Sequence, residues 1–212
     1  MKTPVPVART RRKTRALILR AAHYILLVGG VLALAYAAFV IADAHTYQSI
    51  QQSKFESEMQ SASQSPSPNQ NYAPHPVIDG SPIGEMEVPS LGLKAIFVQG
   101  DSPRILRRAV GHISNTALPG ESGNVVLTGH RDTFFRPLRN IQQGDAITLK
   151  TFHGDFQYRV ESTAIVPPSD MQVLQPSSER TLTLITCFPF YYVGAAPNRF
   201  VVRARQVDLS PQ

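Results

Sequence analysis

The stretch Ala21–Ala42, AAHYILLVGGVLALAYAAFVIA, is an almost unbroken apolar run, and no other feature constrains the fold of this chain so strongly. A helix that crosses a bilayer needs roughly 20 consecutive apolar residues, and a half-buried soluble helix would show a polar stripe that this run lacks. Its one costly member, His23, stands near the end, within reach of headgroups. Ala35, Ala37 and Ala38 are small enough for a signal-peptide cleavage site, but the run is long for the apolar part of a signal peptide. An uncleaved, single-pass anchor in the cell membrane is therefore expected. Lys2, Arg9, Arg11, Arg12, Lys13, Arg15 and Arg20 precede it, and no acid appears before Asp43. The positive-inside rule then keeps residues 1–20 cytoplasmic and exports everything after residue 42.

The formal charge of +6 belongs to that basic tail. Beyond Arg20 the remaining 14 Lys and Arg (21 less 7) meet 15 Asp and Glu, so the exported part is nearly neutral and no nucleic acid is expected as a partner. Residues 43–75 turn to Gln, Ser, Asn and Pro, too polar to bury a core, and read as an extracytoplasmic tether. Tyr47, Ile50, Phe55 and Met59 allow a short amphipathic helix at its start. Residues 76–212 form one domain of ordinary size.

Within that domain, short alternating or β-branched runs are separated by Gly, Pro and Asp. Strands are predicted over Ile83–Val88, Leu93–Val98, Val125–Thr128, Ala146–Thr151, Phe156–Val166, Leu182–Thr186 and Phe200–Ala204, with a tight hairpin turn at His153, Gly154 and Asp155. Helical periodicity is confined to Ser102–Arg108 and Asp170–Leu174. A mainly β fold follows, either a barrel or a sandwich.

Export also changes how the single cysteine reads. In an oxidising compartment cysteines pair, and Cys187 has no partner in the chain, so it is inert, intermolecular or reactive. Alternation puts Leu182 and Leu184 on one face of its strand and Thr183, Ile185 and Cys187 on the other. If the leucines face the core, the thiol points outward at the strand end. The segment Phe188–Asn198 then leads to Arg199 at the start of the next strand, and in an antiparallel hairpin the end of one strand lies opposite the beginning of the next. Cys187 and Arg199 are expected side by side.

A thiol attacking a carbonyl needs an acid/base and a positive group for the developing oxyanion. Among the histidines, His23 lies in the apolar run, His45 and His75 flank the tether and His153 sits in a turn. His130, which closes the strand-like run NVVLTGH, is preferred as the acid/base, and His112, with no strand predicted behind it, is the fallback. Asp132, two residues after His130, could orient a ring as in a triad, but is expected rather to pair with Arg131 or Arg136 or to serve a turn. No His/Cys cluster has metal-ligand spacing, and no phosphate-binding or dinucleotide motif appears, so neither a metal nor another cofactor is expected.

The segments TLITC at Thr183–Cys187, LTGHRDTFF at Leu127–Phe135 and NRFVV at Asn198–Val202 resemble, in order and spacing, the three signature segments of the sortases. The longer forms GHRDTFFRPL and TCFPFYYVGAAPNRFVVRA are most similar to class D. The resemblance implies a closed barrel of about eight strands, one more than the seven counted, with the long run Phe156–Val166 able to hold two. It implies a cysteine transpeptidase that cleaves a Leu-Pro-x-Thr-Gly or Leu-Pro-x-Thr-Ala sorting signal after Thr. The acyl group would pass to an amine from a peptidoglycan precursor or a pilin lysine. Cys187 would be the nucleophile, His130 the acid/base and Arg199 the oxyanion or backbone ligand, with Thr183, Ile185 and Thr186 expected to contact substrate. Two rivals are an exported cysteine endopeptidase that hydrolyses the same signal and a non-catalytic, membrane-tethered β-barrel scaffold with a buried cysteine. An L,D-transpeptidase would carry Ser/Thr-His-Gly before its cysteine, where this chain has Ile185 and Thr186.

Overall fold

The computed structural model describes residues 8–64 and 78–207, with side chains over 17–57 and 78–207. Two compact units meet at the Asp43/Ala44 boundary. In the first, helix α1, Ala8–Gln64, carries a segment long and apolar enough to cross a membrane. Its apolar side chains from Leu17 to Ile41 are exposed rather than packed on protein. Backbone groups in lipid must be satisfied internally, which a helix does for every residue of such a span.

The second unit is a closed barrel in the order β1-β2-β3-β4-β7-β8-β6-β5. Its strands are β1 (Pro82–Val88), β2 (Leu93–Gln99), β3 (Val110–His112), β4 (Gly123–Thr128), β5 (Ala146–Thr151), β6 (Gly154–Val166), β7 (Arg180–Phe188) and β8 (Asn198–Val207). All neighbours are antiparallel except the parallel pairs β2/β3 and β4/β7. Period-two alternation fills the interior: Met86 and Val88, Ala95 and Phe97, Val125 and Leu127, Ile147 and Leu149, Leu182 and Leu184, Val202 and Ala204 are all buried in one core. Closure leaves no long free edge.

Parts of the outer face are covered as well, which explains the runs that do not alternate. Val126, Ile185 and Val201 lie under Val173 and Leu174 of the β6–β7 connection, whose 3₁₀ turn spans Met171–Leu174. Ile96, Val98 and Ala109 lie under Tyr47 of α1 and Ile105 of the short helix α2, Pro103–Leu106.

The eighth strand is not a division of the long one. Gly154–Val166 is continuous, with a register shift between Val160 and Ser162, and β3 is the strand the sequence pattern missed. Three residues, one of them Gly111, give no alternation to detect. Because of β3, His112 does have a strand behind it, contrary to expectation.

Helix α1 continues through the stretch read as a tether as far as Gln64; Met59's side chain and residues 65–77 lie outside the described residues. Tyr47, Gln51 and Phe55, one turn apart, form the inward stripe, whereas Ile50 is exposed. Phe55 packs against Phe152, ring centroids 4.7 Å apart, and the Arg108 guanidinium sits 5.8 Å from the centre of the Tyr47 ring. The Gln48 amide accepts from Ile96 N at 2.9 Å and donates to Arg108 O at 2.8 Å, supplying a rung where β2 and the approach to β3 diverge. On the outer face of β1, Lys94 bonds Glu85 and Glu87 at 3.0 and 3.2 Å, and Lys150 reaches Glu87 at 2.9 Å. Hydrogen bonding to Lys150 holds Glu87 below its ordinary pKa.

Candidate active site

Three adjacent strands bring Cys187, Arg199 and His130 to one end of the barrel. The β7/β8 register pairs Cys187 directly with Arg199, where the hairpin argument placed it. The β4/β7 register pairs Thr128 with Ile185, and the contact runs one residue past the strand through Gly129 N to Ile185 O, which brings His130 to the same end of the barrel as Cys187. Directly paired residues project to the same face, and neighbouring strands lie about 4.8 Å apart. Cys187 and Arg199 are therefore neighbours on one face, and His130 lies just past the end of β4, the strand on the other side of β7. All three are partly exposed, and Cys187 is a free thiol.

The end of β4 is held to β7 by more than the ladder. Gly129 N donates to Ile185 O at 3.2 Å, and Thr186 Oγ1 donates to Gly129 O at 2.7 Å. His130 O in turn accepts from Phe135 N at 3.0 Å. A Cβ on Gly129 would stand 3.1 Å from the Phe135 ring, so the missing side chain lets that fully buried ring pack against Gly129, the residue before the histidine.

The other residues of the cysteine strand are engaged internally. Thr183 is fully buried and donates to Asn124 Oδ1 at 2.7 Å; Ile185 is buried in the outer cluster; Thr186 is buried by its bond to Gly129. Asn124 also donates to Val173 O and Gln175 O, at 3.0 and 3.2 Å, and so pins the β6–β7 connection over β4 and β7. The only advance signal of that role is a lone Asn opening an apolar strand.

Beyond Arg199 a cleft of about 210 Å³ runs along the outer face of β6 and β8. Register pairs Arg199 with Val166, Val201 with Ala164 and Arg203 with Ser162. The cleft has apolar walls at Val166, Ala164, Val201 and Val173 and a polar end at Ser162, Asp170 and Arg203. Arg203 lies about 13 Å along the strand from Arg199, by strand rise.

His112 is no part of this group. It is buried, with Nε2–H donating to Ala117 O at 2.9 Å and Nδ1 lying 2.9 Å from the Gln99 amide. Loss of hydration on burial pushes its pKa below the ordinary histidine value, against the pull of the Ala117 bond and the Glu121 charge. Asp132 sits exposed in the turn after His130, while Arg131 donates to Tyr192 O and Gly194 O of the β7–β8 loop. Among the described residues no group of three or more His, Cys, Asp or Glu side chains is arranged to hold a metal ion.

The chain is similar to known proteins in both sequence and fold. The family profile described as the Sortase domain matches residues 86–207. Sortase D of Bacillus subtilis is 30% identical over 189 residues, covering 86% of this chain and 96% of that protein. A Clostridium perfringens sortase D5 transpeptidase superposes with a TM-score of 0.62 at 26% identity, over 79% of this chain and 99% of the other. Sortase C1 of Streptococcus suis superposes with a TM-score of 0.57 at 26% identity, over 61% and 74% of the two chains.

Proposed function

The chain belongs to the sortase family, and from that premise we propose that it is a membrane-anchored transpeptidase acting on a Leu-Pro-x-Thr-Gly or Leu-Pro-x-Thr-Ala signal. The observation that carries the reading is the direct pairing of Cys187 with Arg199 at the barrel end to which β4 leads His130. The signal lies along the cleft with its Leu-Pro portion against Val166, Ala164 and Val201, and its Thr carbonyl reaches Cys187. Three residues of extended peptide cover about 10 Å, which fits within the roughly 13 Å from Arg199 to Arg203.

The Cys187 thiol gives its proton to His130 as its sulfur bonds to the Thr carbonyl carbon, and the carbonyl electron pair moves onto oxygen. Arg199 faces that oxyanion; its Nη1 donates to Ala196 O and Asn198 O at 3.4 and 3.1 Å, leaving other N–H groups for the substrate. Collapse of the tetrahedral centre breaks the bond from Thr to the next residue, and His130 delivers a proton to the departing amine. A thioester on Cys187 remains. An incoming primary amine, from a peptidoglycan precursor or a pilin lysine, attacks it as His130 takes the amine's proton, and the free thiol returns. One amide is exchanged for another, so no external energy source is required. The seven basic residues before the apolar run support a cytoplasmic N-terminus and an exported barrel.

Mass spectrometry of the protein incubated with a sorting peptide and no amine tests the reading. The expected species is a thioester adduct on Cys187, absent from Cys187→Ala. A cleaved peptide in the Cys187→Ala reaction would refute it.

A further inference from the structure

The β7–β8 loop, Pro189–Pro197, joins the strand of Cys187 to that of Arg199, and its tip has little to pack against. Tyr191 is 87% exposed and Val193 94% exposed, and Gly194-Ala195-Ala196 offers no bulk. The base is different: the rings of Phe188, Phe190 and Phe200 cluster there, with centroids 5.3 to 6.4 Å apart. Hydrogen bonds from two guanidinium groups hold the tip, beside the turn closed by Tyr192 N donating to Pro189 O at 3.2 Å. Arg131 Nη2 donates to Tyr192 O at 2.5 Å and to Gly194 O at 3.1 Å, and Arg199 Nη1 donates to Ala196 O and Asn198 O. Gly194 has φ +99°, a left-handed conformation that turns the backbone sharply at this point. Three alternate carbonyls of the loop, Tyr192, Gly194 and Ala196, and that of Asn198 at the start of β8 thus face two cations, and bonds from a charged donor are the stronger kind.

Arg131 is also the residue next to His130. The segment carrying the histidine is fastened to β7 at Gly129 and to the β7–β8 loop at Arg131, so the backbone of His130 is tied on both sides. We propose that Arg131 is a positioning residue for the transpeptidation reaction. It straps the β7–β8 loop to the His130 segment and thereby keeps His130 and Arg199 on opposite flanks of Cys187. This rests on the reading of Cys187, Arg199 and His130 as a sortase site, and the strap can be tested apart from it. The sequence held a different place for Arg131, as a partner of Asp132.

The test uses the full chain in detergent, with Arg131→Ala and Arg131→Lys beside wild type. Hydrogen–deuterium exchange needs no substrate. Loss of two charge-assisted bonds predicts exchange in the peptide covering 189–197 about tenfold faster in Arg131→Ala, intermediate in Arg131→Lys, and unchanged in the barrel strands. With a sorting peptide, kcat falls about tenfold in Arg131→Ala while KM moves less than about twofold, because the geometry lost is that of the transition state. Wild-type exchange in Arg131→Ala would overturn the strap. Faster exchange with wild-type kcat would overturn its positioning role. A wild-type protein that cleaves no sorting peptide would sink the transpeptidase reading, and loop exchange would still decide the strap.

Discussion

Thr186 and Cys187 are neighbours with opposite duties, because strand alternation turns one side chain inward and the next outward. The Thr186 hydroxyl fastens Gly129, and the residue after Gly129 is the histidine. Thr186→Val keeps the shape and deletes the donor, leaving a buried carbonyl unpaired at a cost of about 1–3 kcal/mol. Peptide cleavage should fall roughly tenfold in Thr186→Val and stay near wild type in Thr186→Ser; equal activity in both would mean that this bond does not place His130. The two histidines separate just as sharply. His130→Ala should lose at least about a hundredfold in kcat/KM with little change in melting temperature. His112→Ala should do the reverse, lowering the melting temperature first, since its ring is buried and bonded on both nitrogens.

At the scale of elements, the packing of α1 on the barrel rests on few residues. Gln48→Ala removes the amide that serves both Ile96 N and Arg108 O, and should destabilise the protein by about 1–3 kcal/mol, read as a lower melting temperature by circular dichroism. An unchanged melting temperature would mean that water replaces the amide at no cost. Tyr47 and Phe55 were legible as part of an amphipathic helix, but its docking was not, because Gln48 and Gln51 complete the inward face and read as polar. Most strands were legible, since Leu182 and Leu184 or Ile147 and Leu149 repeat every second residue on the interior face. The three-residue β3 was not, and with it went the environment of His112. The Cys187–Arg199 pairing could be read because hairpin geometry fixes it locally. The His130 neighbourhood depends on a parallel pairing of segments more than fifty residues apart, for which neither alternation nor turn chemistry offers a local signal.

For the whole molecule, one buried histidine gives stability a pH dependence of known sign. His112 has a folded-state pKa below its unfolded value, so the unfolded chain binds the proton first. Its contribution is intact above about pH 6.5 and is lost as pH falls through the depressed folded value, with a slope of at most about 1.4 kcal/mol per pH unit. Glu87, held low by Lys150, acts in a separate and more acidic window: its stabilisation is present above its ordinary carboxylate value and fades as pH falls through the lowered one. Denaturation midpoints of wild type and His112→Gln between pH 7.5 and 5 should therefore diverge in slope, wild type falling more steeply; parallel curves would refute the assignment. The larger claim is that anchor, barrel and site serve one reaction, the exchange of an amide on Cys187 between two amines. Incubating wild type and Cys187→Ala with a Leu-Pro-x-Thr-Gly or Leu-Pro-x-Thr-Ala peptide, with and without a primary amine, and weighing the products tests it most directly. The account predicts a ligated peptide formed only by wild type and only with the amine; cleavage indifferent to the amine, or surviving in Cys187→Ala, would contradict it.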